Sequence, residues 1–155
     1  MAPHPNTRKI LALSMMIAFF LAGCTESVQP LPPLLQNVSA GGGWGSACPP
    51  RDNKERKMME GLKLAVSPEL EQRLLDGFPP GSSSDQLAST LTAQGFQLRS
   101  PCEADQTIQS ASFFRETITG FPGFLSRRNR TSATVYWKSD DKHRIVWTKG
   151  FVSYQ

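Results

Sequence analysis

The sequence predicts an α+β domain in which two to three short helices pack on one face of a three- to four-stranded antiparallel sheet. Three observations lead there. Between Arg51 and Gly95 the apolar residues fall at helical spacing inside capped segments. After Gly95 the period changes toward two, the signature of strands with one covered face. The links between segments are short, and helices followed by strands favour an antiparallel sheet over a parallel one, which needs alternating strands and helices.

The elements follow in order. In the charged stretch Arg51 to Met59, Asp52 and Glu55 have capping-box spacing, and Met58, Met59 and Leu62 are expected to form an apolar face. A second helix starts with Ser67 as N-cap and Pro68 at the first helical position, carries Glu69 and Glu71 in its first turn, and stops at Gly77. Its expected buried stripe is Leu70, Leu74 and Leu75. Phe78-Pro79-Pro80-Gly81 reads as a turn. A third helix begins where Ser83 and Gln86 have capping-box spacing, buries Leu87, Ala88 and Leu91, and ends at Gly95. Strands are expected over Phe96 to Arg99, Gln109 to Thr117, Thr131 to Lys138 and Arg144 to Tyr154. The last two form a hairpin through Ser139 to His143, with Trp137 and Trp147 as cross-strand core packing, Ile145 on the face of Trp147, and Gly150 as the site of a bulge.

The first 24 residues have the order of a secretory signal: a basic pair Arg8-Lys9, an apolar run Ile10 to Phe20, then small residues before a cut. The run is shorter than the roughly 20 residues that a helix needs to cross a hydrocarbon core. Leu21-Ala22-Gly23-Cys24 resembles the lipobox of bacterial lipoproteins. That resemblance implies cleavage between Gly23 and Cys24, diacylglycerol on the Cys24 thiol, and acyl chains that hold the protein to a membrane. Thr25, rather than Asp, after the cysteine resembles an outer-membrane address in enterobacterial-type sorting. The expected organisation is a signal peptide over 1–23, the lipidated cysteine with a Pro/Gly-rich tether over 24–50, and a periplasm-facing domain over 51–155. Trp44 within that tether is expected either to dock on the domain or membrane interface, or to stay partly exposed.

If Cys24 carries lipid, Cys48 and Cys102 remain in an exported, oxidising compartment, where a disulfide between them is expected; two unpaired thiols are the alternative. Removing Arg8 and Lys9 from the 17 basic residues leaves 15 against 13 acidic ones, too weak an excess to argue for nucleic-acid binding.

Few residues invite a catalytic reading. Without the signal, His143 is the single histidine and sits in a turn beside Asp140 and Asp141. Zinc motifs and phosphate-cradling glycine patterns are lacking in the sequence, so neither a metal nor a cofactor is expected. Glu103, Asp105 and Glu116 could supply paired carboxylates for glycoside hydrolysis, although a solvated surface explains them as well. Gly120-Phe121-Pro122-Gly123-Phe124-Leu125 beside Arg127, Arg128 and Arg130 combines apolar anchors with arginines, as interfaces do. Either Phe121 and Phe124 meet a partner or lipid phosphates, or they turn inward to complete the core.

The helix-turn-helix opening, with Phe78-Pro79-Pro80-Gly81 before a Ser-capped helix and strands after it, is similar in outline to small outer-membrane lipoproteins of the BamE type. That resemblance implies a role in assisting β-barrel assembly. The expectation is a non-enzymatic envelope lipoprotein that binds a protein partner. A cell-wall-acting enzyme, or a module presenting Tyr136 and Lys138 to a ligand or enzyme, is the alternative.

Overall fold

The computed structural model describes residues 30–119 and 127–155. Its element order is a 3-10 turn (Pro33–Leu35), α1 (Asn53–Met59), α2 (Pro68–Gly77), α3 (Ser84–Ala93), β1 (Gln97–Arg99), β2 (Ile108–Thr119), β3 (Arg127–Ser139) and β4 (Ile145–Tyr154). The four strands form one antiparallel sheet in the order β1-β2-β3-β4, and the chain is the α+β arrangement that its periodicity predicts.

Local chemistry starts each helix. The Asp52 side chain accepts from the Glu55 N–H at 2.7 Å, and Glu55 accepts from the Arg51 N–H at 2.8 Å. Ser83 accepts from the Gln86 N–H at 3.3 Å. Pro68 starts α2 without a side-chain bond from Ser67. Gly95, at φ +85°, ends the third helix in the left-handed conformation that a side chain would resist.

The core lies between α2, α3 and one face of the sheet. Leu70 and Leu74 of α2 and Leu87 and Leu91 of α3 pack on Ala111, Ala133, Val135, Trp137, Ile145 and Val152. The centre is polar at one point. Trp137 donates its indole N–H to Ser84 Oγ at 2.9 Å, and the Ser139 hydroxyl donates to the same oxygen at 3.0 Å, so the start of α3 is tied to β3 within the core. Gly150 pairs with Val135 on the helix face, where a Cβ would stand 2.5 Å from Leu70 Cγ. Its role is close packing of helix on sheet.

The register shift falls between Lys138 and Ser139, not at Gly150 as the sequence suggests. Ser139 faces Ile145 and Lys138 faces Trp147, leaving Val146 as the extra residue of a bulge. One extra residue reverses the face of everything after it. Ile145 therefore points into the core, while Trp147 lies on the opposite face with Lys138 and Tyr136, and the expected Trp137–Trp147 pair does not form. Leu75 also departs from expectation, being 40% exposed, and α1 buries none of its residues, with Met58 and Leu62 exposed. Of that expected face Met59 is half-buried, lining a hollow with Leu64 and Trp147.

The segment from Pro30 to Pro50 is not a free tether. Leu35 is fully buried, Val38 is buried, and Leu31 and Leu34 pack on the core. Arg73 donates to the carbonyls of Pro33 and Leu34, and Gln94 accepts from the Leu34 N–H. Further on, Trp44 exchanges backbone hydrogen bonds with Lys63 and Ala65, both at 2.8 Å. Gly41 and Gly43 make that approach possible, since a Cβ on either would collide with the backbone of Ala65 or Lys63. Glycines that read as linker composition thus serve backbone contact. Cys48 and Cys102 are joined by a disulfide, which fixes the end of this segment beside the turn before β2.

Ser39 donates both its backbone N–H (3.0 Å) and its hydroxyl (2.6 Å) to the Glu69 carboxylate. The Ser39 hydroxyl first, and then its N–H, hold the Glu69 carboxyl down at about 2 from the ordinary 4.5. A depressed carboxylate stabilises the fold above its ordinary value and loses that effect as pH falls through its folded one. Amide protection of Val38 to Ala40 is therefore expected to hold from neutrality to about pH 4.5 and to drop on going toward 2. Hydrogen exchange compared between the native protein and Glu69→Gln measures this; the variant should lack the acid-dependent step.

Candidate functional site

The most distinctive surface comes from unequal strand lengths. β1 pairs only with Ser110 to Ser112 of β2, whereas β4 pairs with β3 as far as Thr131, and Gln155 after it exchanges backbone hydrogen bonds with Arg130. Beyond Ser112, β2 has left β1 and pairs with β3 in register from Phe114↔Ser132 to Thr119↔Arg127, a projecting ribbon whose outer part, from Thr117↔Asn129, is two-stranded. Alternation divides its side chains. Phe114, Glu116 and Ile118 share one face with Arg128, Arg130 and Ser132, while Arg115 and Arg127 lie on the helix side.

Two large apolar side chains are exposed on that ribbon, Phe114 at 64% and Ile118 at 65%. Between them Glu116 meets Arg130 at 3.0 Å and Arg128 at 3.6 Å, one acid shared by two guanidinium groups. The Thr117 hydroxyl donates to the Asn129 carbonyl, and Asn129 donates to the Thr119 hydroxyl, lacing the strands together beyond the body. Such exposed pairs contribute little stability. They hold a charged and apolar surface in a defined geometry.

At the root of the ribbon lies a cleft of about 650 Å³. Pro30 to Pro33 and Gln36 form one wall, the end of α3 from Ala93 to Gly95 another, and Phe113, Phe114 and Arg115 the floor. A second, apolar hollow of about 450 Å³ sits on the other side of the sheet between Ser46 to Pro50, Met59, Leu64 and Trp147.

Arg127, Arg128 and Arg130 stand on β3 of the ribbon. Phe121 and Phe124, which the sequence groups with them, lie outside the described residues, as do Leu21, Ala22, Gly23 and Cys24. Phe114 and Ile118 escaped sequence reasoning. Both sit at alternating positions of β2 beyond the end of β1, on the face turned away from α2 and α3, and nothing local to the strand shows that this face is left open.

Glu116 does not converge with the other two acidic candidates. Glu116 lies eight residues along β2 from Ile108, roughly 26 Å at strand rise, whereas Asp105 sits before that strand and binds Lys138 at 3.0 Å. Glycosidic acid pairs stand within about 10 Å. Glu103 reaches Arg51 instead, at 3.5 Å. Asp140 accepts from the N–H groups of Lys142 and Arg144 and from the Arg144 guanidinium, contacts that hold its carboxyl below the ordinary value, the Arg144 N–H foremost. His143 beside it is exposed at φ +57°, a turn position. Tyr136 and Lys138 are half-buried on the face away from α2 and α3. Among the described residues, no group of three or more His, Cys, Asp and Glu side chains is arranged to hold a metal ion.

The arrangement defines an α+β domain with a projecting, arginine-rich β ribbon and a cleft at its base. No protein-family model matches the chain, and no curated protein or solved structure is significantly similar to it.

Proposed function

We propose that the protein is a lipid-anchored lipoprotein of the bacterial cell envelope, facing the periplasm from the outer membrane, that acts by binding a protein partner and not by catalysis. The anchor rests on Leu21-Ala22-Gly23-Cys24 in the sequence, with the acyl chains on Cys24. The binding role rests on one structural observation, the exposed Phe114 beside the cleft at the ribbon's root. Beyond Ser112, β2 runs on past β1, so an extended partner segment can lie along its edge, with one side chain against Phe113 and the proline wall and the next over Phe114 on the opposite face. An aromatic anchor in such a hollow contributes more than the arginines around it, because desolvated apolar contact outweighs screened charge.

A photoreactive residue in place of Phe114 should give one discrete protein adduct in living cells. Phe114→Asp should weaken the isolated complex by more than about tenfold, the cost of losing some 2 kcal/mol of apolar burial. Absence of any protein adduct, with Phe114→Asp behaving as the native protein, would overturn the binding role. Cys24→Ser tests the anchor separately: the protein should leave the membrane fraction, and retention there would refute lipidation.

A further inference from the structure

We infer that the distal end of the ribbon, Ile118 with Arg127, Arg128 and Arg130, rests on the anionic phospholipid surface that holds the lipid anchor. The inference rests on the anchoring proposed above and adds an orientation to it.

Two independent observations carry it. The first is the length of chain between anchor and body. Pro30 already lines the cleft at the ribbon's root, together with Phe114 and Arg115, and Leu31 packs on the core. Six residue steps separate Cys24 from Pro30, and whatever path they take they span at most about 20 Å. From Phe114 to Thr119 the ribbon runs five steps, about 17 Å at strand rise. Leash and ribbon therefore begin at the same corner of the domain and have nearly equal reach, which brings the ribbon's end within range of the headgroups.

The second observation is charge. Arg115, Arg127, Arg128 and Arg130 stand on the ribbon against one acid, Glu116. The chain beyond the signal is nearly neutral, with 15 basic and 13 acidic residues, so the positive excess is local. Arg127 and Arg128 are adjacent on β3 and project to opposite faces, offering guanidinium groups on both sides of the ribbon. Guanidinium groups bind phosphate oxygens through paired N–H donors, and an exposed isoleucine beside them suits the boundary between headgroups and acyl chains. Each arginine near an anionic surface strengthens attachment about fivefold.

The test uses the acylated full-length protein with Thr119→Cys carrying an environment-sensitive fluorophore, reconstituted on vesicles. In phosphatidylcholine mixed with phosphatidylglycerol the emission should shift to the blue and intensify. It should stay water-like in phosphatidylcholine alone. Arg127→Glu with Arg128→Glu should abolish the shift, as should about 1 M salt, where screening shortens to about 3 Å, while the protein still floats with the vesicles. Salt makes the outcome independent of any folding defect in the variant. Protein that fails to float refutes the anchor. Floating protein whose label stays water-like on anionic vesicles, or shifts equally on neutral ones, overturns the lipid contact. A label shielded only on adding envelope proteins overturns it in favour of a protein occupant.

Discussion

Trp137→Ala is expected to lower the unfolding free energy by about 3–5 kcal/mol, the range for deleting a fully buried large aromatic side chain. Trp137 is the largest fully buried side chain and stands between the two packing helices and the sheet. The substitution removes more than volume. It also takes away the donor to Ser84 Oγ, in a place where Ser84 is 1% exposed and water has no easy access. Trp137→Phe separates the two effects, keeping most of the apolar contact and losing the hydrogen bond, at an expected cost nearer 1–2 kcal/mol. Because a domain of this size has only about 5–15 kcal/mol in total, the alanine variant should unfold at a much lower denaturant concentration. A midpoint within about 0.5 kcal/mol of the native one would show that the indole is not the centre of the fold.

Removing the disulfide should have a comparable effect by a different route. Cys48 and Cys102 close a loop with a sequence separation of 54, and the chain-entropy argument assigns such a crosslink about 4 kcal/mol through the unfolded state. In this domain that corresponds to a fall in melting temperature of about 10–20 °C, read by calorimetry with and without reductant or on the paired Cys48→Ala and Cys102→Ala variant. A local consequence accompanies it. Ser46 to Pro50 form one wall over Trp147, so reduction should shift part of the tryptophan emission toward the red before global unfolding. Emission unchanged by reduction would mean that backbone contacts such as Trp44 with Lys63 hold the segment without the bond.

The helices and strands were legible because each is written locally. Asp52, Ser83 and Pro68 announce helix starts by chemistry that acts within three residues, and Ala133, Val135 and Trp137 show their shared face by alternation alone. Where the covering surface comes from distant chain, the sequence misled. Leu75 has the spacing of a core residue, yet the face of α2 that meets the sheet ends at Leu70 and Leu74. Pro30 to Pro50 has no period, so it reads as a tether, although Leu35 is as buried as any residue in the protein. The candidate surface divides the same way. Arg127, Arg128 and Arg130 stood out as a cluster, whereas Phe114 and Ile118 look like ordinary strand residues until β1 stops short and leaves their outer face open.

By itself, then, the sequence determined the helices, the main part of each strand and the α+β class, since caps, turns and side-chain period depend on a few neighbouring residues. Tertiary structure alone decided which faces are covered: the bulge at Val146 that turns Trp147 away from Trp137, the docking of Leu35, and the bare end of the ribbon. The physical reason is that burial depends on what arrives from elsewhere in the chain. One inserted residue or one early strand end reverses it without altering the local pattern.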